Sequence, residues 1–452
     1  MDAAAEPRFK RAIALPHATA MVVGIIIGAS IFVQPSEITG RVPSVSGVFL
    51  VWVVSGMLTI FGALVCAELS SSFTRSGGVY LYLSAAFSPA IGFLWGWAMF
   101  WSMHSGIIAA ISVVFARYAA FFVPLTGGEI KAVAIAAILV ISAVNYIGVR
   151  QGSTLQLLFT AGKLGAIAFI LVFGFVCGAG RAAHFTSGDL GGLGGVSTGG
   201  FLLALVAGLF AFGGWHMVTY SSEETRDPQK IIPRALILGT ILVTLCYLIL
   251  NAVYMYVLPL ATVAASTRIA ADAADALVGH GGGAFMSSLV MFSTFGGLSG
   301  IILCGPRVYY AMARDGLLFQ WFGVIHPRFH TPHKAILLQA AWSCILVATG
   351  SYHTLFTRVV YTEWIFFGLM AIGLFLLRRR PDIRRGYSMW GYPFTPAIFV
   401  ISSFAIVVNQ IVSSPRESLF GLSLVLAGLP VYFIQSRQGR ERGQASVHHR
   451  FS

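Results

Sequence analysis

Apolar residues come in blocks of about twenty, and these blocks follow one another along almost the whole chain. A block of that length is what an α-helix needs to cross roughly 30 Å of hydrocarbon. We read spans at 12–38, 46–69, 89–122, 130–147, 155–178 and 201–220. A second group lies at 232–256, 285–313, 335–350, 359–377, 393–412 and 419–434. No hydrated shell can be made from the remainder, since 10% of the residues are charged against about 25% in a soluble domain. The predicted class is an all-α integral membrane protein of twelve transmembrane helices.

The formal net charge of +13 belongs to this topology. On one side of the twelve spans lie only Arg41, Lys131, Arg181, Arg268, Arg358 and Arg416, while Arg117 and Lys163 fall inside spans. The other lysines and arginines, including the run from Arg378 to Arg385 and both tails, share the opposite side. That bias predicts cytoplasmic termini by the positive-inside rule, and it leaves no basic patch to argue for nucleic acid. The Arg378–Arg385 run reads as a topology anchor that also meets anionic lipid. The charged opening, residues 1–11, has no small-residue cleavage site after it, so no cleaved signal peptide is expected. Five cysteines, all within apolar blocks, show no metal-ligand spacing and no disulfide framework. Catalytic motifs are absent too: there is no nucleophile elbow and no phosphate loop. An enzyme is therefore not expected, nor any cofactor.

Two spans are interrupted by small residues. The first holds Gly24-Ile-Ile-Ile-Gly28-Ala29-Ser30-Ile31-Phe32, and the sixth holds Phe210-Ala-Phe-Gly213-Gly214-Trp215. Gly24 and Gly28 alone also suit a small-residue packing face. Interruptions in corresponding spans of two halves, however, are the sequence pointer to an inverted-repeat transporter. Irregular backbone at that depth lasts only where it lines protein or a wet cavity. The start of a half-helix offers N–H groups and suits a carboxylate; the end of one offers carbonyls and suits an ammonium. An α-amino acid carries both groups on one carbon. The candidate site is Ile26, Gly28, Ala29 and Ser30 with Phe210, Gly213 and Gly214.

These motifs resemble the L-type amino acid transporters of the amino acid–polyamine–organocation superfamily. Glu223-Glu-Thr-Arg-Asp-Pro-Gln-Lys-Ile-Ile-Pro233, Ala67-Glu-Leu69, Ser76-Gly-Gly-Val-Tyr80, Ala313-Arg-Asp-Gly-Leu317 and Gly428-Leu-Pro-Val-Tyr432 add to the likeness in family order. The resemblance implies a LeuT-type 5+5 inverted repeat with helices 1 and 6 broken, and sodium-independent exchange by alternating access. The two repeats would be 12–199 and 200–379, followed by helices 11 and 12 at 380–436, with cytoplasmic tails at 1–11 and 437–452. It implies carboxylate binding by the amides of Ala29 and Ser30. Carbonyls of Ile26, Phe210 and Gly213 would take the ammonium, with Phe210 as a gate. The family's Gly-Ser-Gly reads Gly28-Ala29-Ser30 here, which moves the hydroxyl by one residue. Eukaryotic members join a heavy chain through a cysteine between spans three and four. The loop at 123–129 has none, so a bacterial-type transporter without a disulfide-linked partner is expected.

Lys163 lies inside the fifth span. Either it snorkels to the interface, or, as the resemblance implies, its ammonium replaces the sodium that bridges spans one and eight in coupled relatives. Ser293, Thr294, Ser299 and the carbonyls near Val23 and Gly24 are the expected partners in the second case. Glu363, near the start of span ten, reads as a pocket residue, a proton carrier or a structural partner for Trp364. Trp215 is expected to close a pathway beside the second break. His104 and His216 read as packing groups or pocket residues. Glu68 is expected to pair near Arg75, Arg226 or Arg234. Small neutral amino acids suit Ser30 and the glycines; a proton-coupled symporter of amino acids or amines is the alternative.

Overall fold

The computed structural model describes residues 13–75, 77–147, 152–176, 180–187, 196–329 and 331–435; the tails, Ser76, Arg150 and Cys177 lie outside them. Among the described residues the structure is helical, with one isolated β-bridge between Ile13 and Thr225. Nine helical stretches there are long and apolar enough to cross a membrane, and three shorter apolar helices accompany them. This is a multi-pass membrane protein.

Helix α1 (Leu15–Ile26) and helix α2 (Gln34–Arg41) are separated by an irregular segment at 27–29 and a 3-10 turn, Ser30–Phe32. Next come α3 (Val45–Ser72) and a short α4 (Val79–Ala86). Then α5 (Pro89–Ala98) runs through a π-turn at Met99–Met103 into α6 (His104–Ala119). Helices α7 (Gly127–Ile147), α8 (Gly152–Val176) and α9 (Ala183–Ser187) lead to α10 (Thr198–Ala211). The chain turns at 212–214 and continues as a 3-10 segment, Trp215–Glu224. After it come α11 (Pro228–Val257), α12 (Leu260–Ala265), α13 (Ile269–Val278) and α14 (His280–Arg314). The last four are α15 (His333–Thr349), α16 (Tyr352–Arg378), α17 (Phe394–Ser413) and α18 (Pro415–Leu426).

Local chemistry sets these boundaries. Serine hydroxyls at 44, 88, 197 and 351 accept backbone N–H groups in the first turns of α3, α5, α10 and α16, the usual N-cap arrangement. Ser351 moves one expected boundary: the tenth span begins at Tyr352 instead of 359, because its first turns carry polar residues that hide the helix from an apolar reading. Glu363 therefore sits well inside α16. Helices pack closely where side chains are small. A methyl group on Gly239 of α11 would lie 2.5 Å from Val22 of α1, so these two helices touch backbone to side chain.

Arg378 departs from its expected role as a lipid-facing anchor. It turns into the bundle, where its Nε donates to Oε1 of Glu68 at 2.7 Å and its guanidinium lies 3.7 Å from the ring centre of Tyr392. The Met389 N–H donates to the other Glu68 oxygen at 2.7 Å. Glu68 is 1% exposed, and a buried carboxylate needs this full set of donors. Arg75, an expected neighbour, instead faces Asp315 at 4.0 Å on the surface.

Candidate functional site

Both interruptions are built from backbone geometry. At Ile27 the chain takes φ −69° and ψ 77°, an inverse γ-turn, so the Gly28 N–H donates to the Ile26 carbonyl at 2.6 Å. In a continuing helix that N–H would have served Gly24. At the second break the Gly213 N–H donates to the Phe210 carbonyl at 3.0 Å, and Gly214 follows with φ +92°. That left-handed conformation suits glycine. A methyl group there would also lie 2.6 Å from Ile25 Cγ2 of α1, so the two breaks approach each other through Gly214.

A small cavity lies at this junction. Gly28 and Ser30 line it from one break, Phe210, Gly213 and Gly214 from the other, and Glu363 from α16. Its remaining wall is largely apolar, formed by Ile25 and the sequence-read Ile26 of α1, Ile107 and Ile111 of α6, Met217, Ile301 of α14 and Val359 of α16. Val359 and Glu363 stand one helical turn apart and share a face. Among the described residues, the amides of Ala29 and Ser30 and the carbonyl of Gly213 have no hydrogen-bond partner. The Glu363 carboxyl, 5% exposed, has none there either, and Trp364 packs instead on Phe399. Residues of both breaks and the Glu363 side chain thus line one small cavity.

An amino acid permease family model matches residues 13–434 of this chain. The chain belongs to the amino acid permease family. This permease is 33% identical over 422 residues to the b(0,+)-type amino acid transporter 1 of Homo sapiens, covering 92% of this chain and 85% of that one. It is 32% identical over 428 residues to the serine/threonine exchanger SteT of Bacillus subtilis strain 168, covering 94% and 96%. Similarity extends to the large neutral amino acids transporter small subunit 2 of Homo sapiens, at 31% over 442 residues, covering 94% and 80%. The family and these relatives are transporters, not enzymes.

Other sequence-read residues of the permease stand outside the cavity lining. Ala29, 2% exposed, is buried beside the first break. Trp215 lies behind the wall, its ring 4.9 Å from Phe367 and close to Gly62 of α3. Lys163 does not snorkel: it is 2% exposed, and its Nζ donates to the Gly24 carbonyl at 3.0 Å. This is the acceptor that the γ-turn released. A methyl group on Gly297 would lie 3.5 Å from the same Nζ, so Lys163 joins α8, α1 and α14. The serine and threonine partners expected for it are engaged elsewhere or lack a partner. Thr294 donates to Val290, Ser299 to Asn145, and the Ser293 hydroxyl is unpartnered among the described residues. His104 Nε2 lies 2.9 Å from the Ile301 carbonyl, and His216 is enclosed by Trp95, Trp215, Tyr220 and Phe367. Both pack.

Tyr247 escaped the sequence reading. From α11 its hydroxyl reaches the Ile26 carbonyl at 2.9 Å and the Ala211 carbonyl at 3.0 Å, so one side chain holds the carbonyl ends of both half-helices. The hydroxyl has one proton to share between these two carbonyls, and the Ile26 carbonyl also accepts from the Gly28 amide. Nothing marks a tyrosine in an apolar helix for this duty except that a buried hydroxyl requires a partner.

Proposed function

We propose that the permease exchanges small neutral L-amino acids, without sodium, across a bacterial inner membrane by alternating access. The observation that carries this reading is that Ser30 and Gly213, from the two breaks, line one cavity, the Ser30 amide and the Gly213 carbonyl both lacking a hydrogen-bond partner among the described residues, with the unpartnered Ala29 amide next to Ser30 in the chain. A zwitterion meets both needs at once: its carboxylate accepts from the amides, and its ammonium donates to Gly213 and to Phe210. Glycine and serine leave space for a short side chain, and Phe210 covers the substrate. Transport of amino acids is what the names of the relatives describe, and exchange of serine and threonine is what one of them states.

In this reading twelve helices cross the bilayer with both termini cytoplasmic. The α1–α2 pair, α3, α5–α6, α7 and α8 form one repeat. The α10 break, α11, α14, α15 and α16 form its inverted partner, and α17 and α18 stand outside. Lys163 supplies a fixed positive charge between α1 and α14 where a coupled relative would bind a cation, which supports sodium independence. No disulfide-linked partner is proposed, because the loop at 123–129 has no cysteine.

A second reading, proton-coupled symport of amino acids or amines, is favoured by one observation: Glu363 faces the cavity without a hydrogen-bond partner among the described residues. Proteoliposomes loaded with single amino acids and assayed in sodium-free buffer test the choice. Exchange requires that internal L-serine or a similar amino acid accelerate labelled uptake with the proton gradient collapsed. Uptake that ignores the internal amino acid and alkalinises the outside supports symport instead.

A further inference from the structure

At the end of the bundle remote from the Ile13–Thr225 bridge lies an open mouth between α2, the end of α6 and the α12–α13 connection. Three charged side chains line it: Glu37, Arg41 and Arg117. Two of them offset each other across one imidazole. Arg41 Nη2 lies 3.0 Å from His353 Nε2, and Glu37 Oε2 lies 3.8 Å from Nδ1 of the same ring. Arg117 is different. It has no carboxylate or hydrogen-bond partner among the described residues, and its guanidinium rests 4.6 Å from the Tyr352 ring centre. A cation over an aromatic face is held by that face while its N–H edges stay free to bind a planar anion. The mouth therefore carries one uncompensated positive charge on a fixed support.

Aromatic rings in series stand between the mouth and the central cavity. Tyr352 stands 5.3 Å from Phe356, and Phe356 stands 5.5 Å from Phe210, which lines the central cavity. Gln34 Nε2 donates to the Tyr352 hydroxyl at 3.1 Å and fixes the outermost ring. We propose that this mouth is a second, peripheral amino acid subsite, with the carboxylate on Arg117 and the ammonium toward Glu37, where substrate waits before the aromatic stack opens. The inference deepens the exchanger reading and rests on it. A charge-assisted contact between the Arg117 guanidinium and the substrate carboxylate at such a place raises occupancy next to the stack.

The test uses full-length protein inserted in one orientation in proteoliposomes, with labelled L-serine offered to either face. Wild-type exchange is established first; its absence would overturn the exchanger reading and this subsite with it. Arg117→Gln is expected to raise the half-saturating concentration about tenfold from the mouth face, the scale of one charge-assisted contact, and to leave the opposite face within about twofold. Arg117→Lys, which keeps the charge without the planar fork, falls between. Wild-type half-saturation by Arg117→Gln at the mouth overturns the proposal. So does an equal loss from both faces in either variant, since that marks a structural role.

Discussion

A buried ammonium inside a membrane helix costs roughly 2.5–3.5 kcal/mol on insertion scales, so Lys163 must be held by something specific. The inverse γ-turn supplies it: by giving the Gly28 amide to Ile26, the chain frees the Gly24 carbonyl that Lys163 then occupies. Removing the charge should leave insertion intact, because the apolar remainder of α8 suffices. Lys163→Ala is expected to reach the membrane at wild-type level and to lose transport by about tenfold or more, a change of at least one charge-assisted bond. Uptake per reconstituted molecule measures it, and near wild-type uptake would remove the idea. Glu363 has the opposite character, a carboxyl in the cavity with nothing on it. If it only shapes the pocket, Glu363→Gln will shift preference among amino acids while its uptake keeps the wild-type response to external pH. Loss of that response would favour the proton-coupled reading. Lys163 and Glu363 were both legible in the sequence, because an ionisable group in an apolar block stands out. Tyr247 was not, because phenols are common in such helices and only the fold shows what its hydroxyl meets.

At the scale of elements, the two breaks depend on glycine in different ways. Gly214 adopts φ +92° and also stands against Ile25, whereas Gly213 needs no positive φ and meets only the Phe210 carbonyl at 3.1 Å. A left-handed residue with a side chain costs roughly 1–2 kcal/mol before any clash is counted. Gly214→Ala should therefore lower the melting temperature in detergent more than Gly213→Ala does, and should abolish uptake by forcing α1 away. Equal stabilities of the two variants would contradict this account. The breaks themselves could be read from paired small residues. The start of α16 could not, since Tyr352, His353 and Thr354 look like a loop until the Ser351 cap and the packing of Tyr352 are seen.

For the molecule as a whole, charge placement could be read as a bias but not as contacts. The arginine run after α16 gave a side of the membrane, while the structure takes its first member inward to Glu68. Removing one partner of a buried pair leaves an uncompensated charge and costs about 3–5 kcal/mol, whereas replacing both is far milder. Glu68→Gln is expected to shorten the survival of monodisperse protein on heating, and the double change Glu68→Gln with Arg378→Met to recover much of it. A double variant as labile as the single one would show that the pair is not the source. Near the same basic end, the Ile13 N–H donates to the Glu224 carbonyl and the Arg226 N–H donates to the Ile13 carbonyl, each at 3.0 Å. That rung hitches the base of α1 to the tail of the 3-10 segment. In the alternating-access reading proposed above, this rung would pass a tilt of one half-helix to the other, so a spectroscopic label on either arm is expected to report the motion of both.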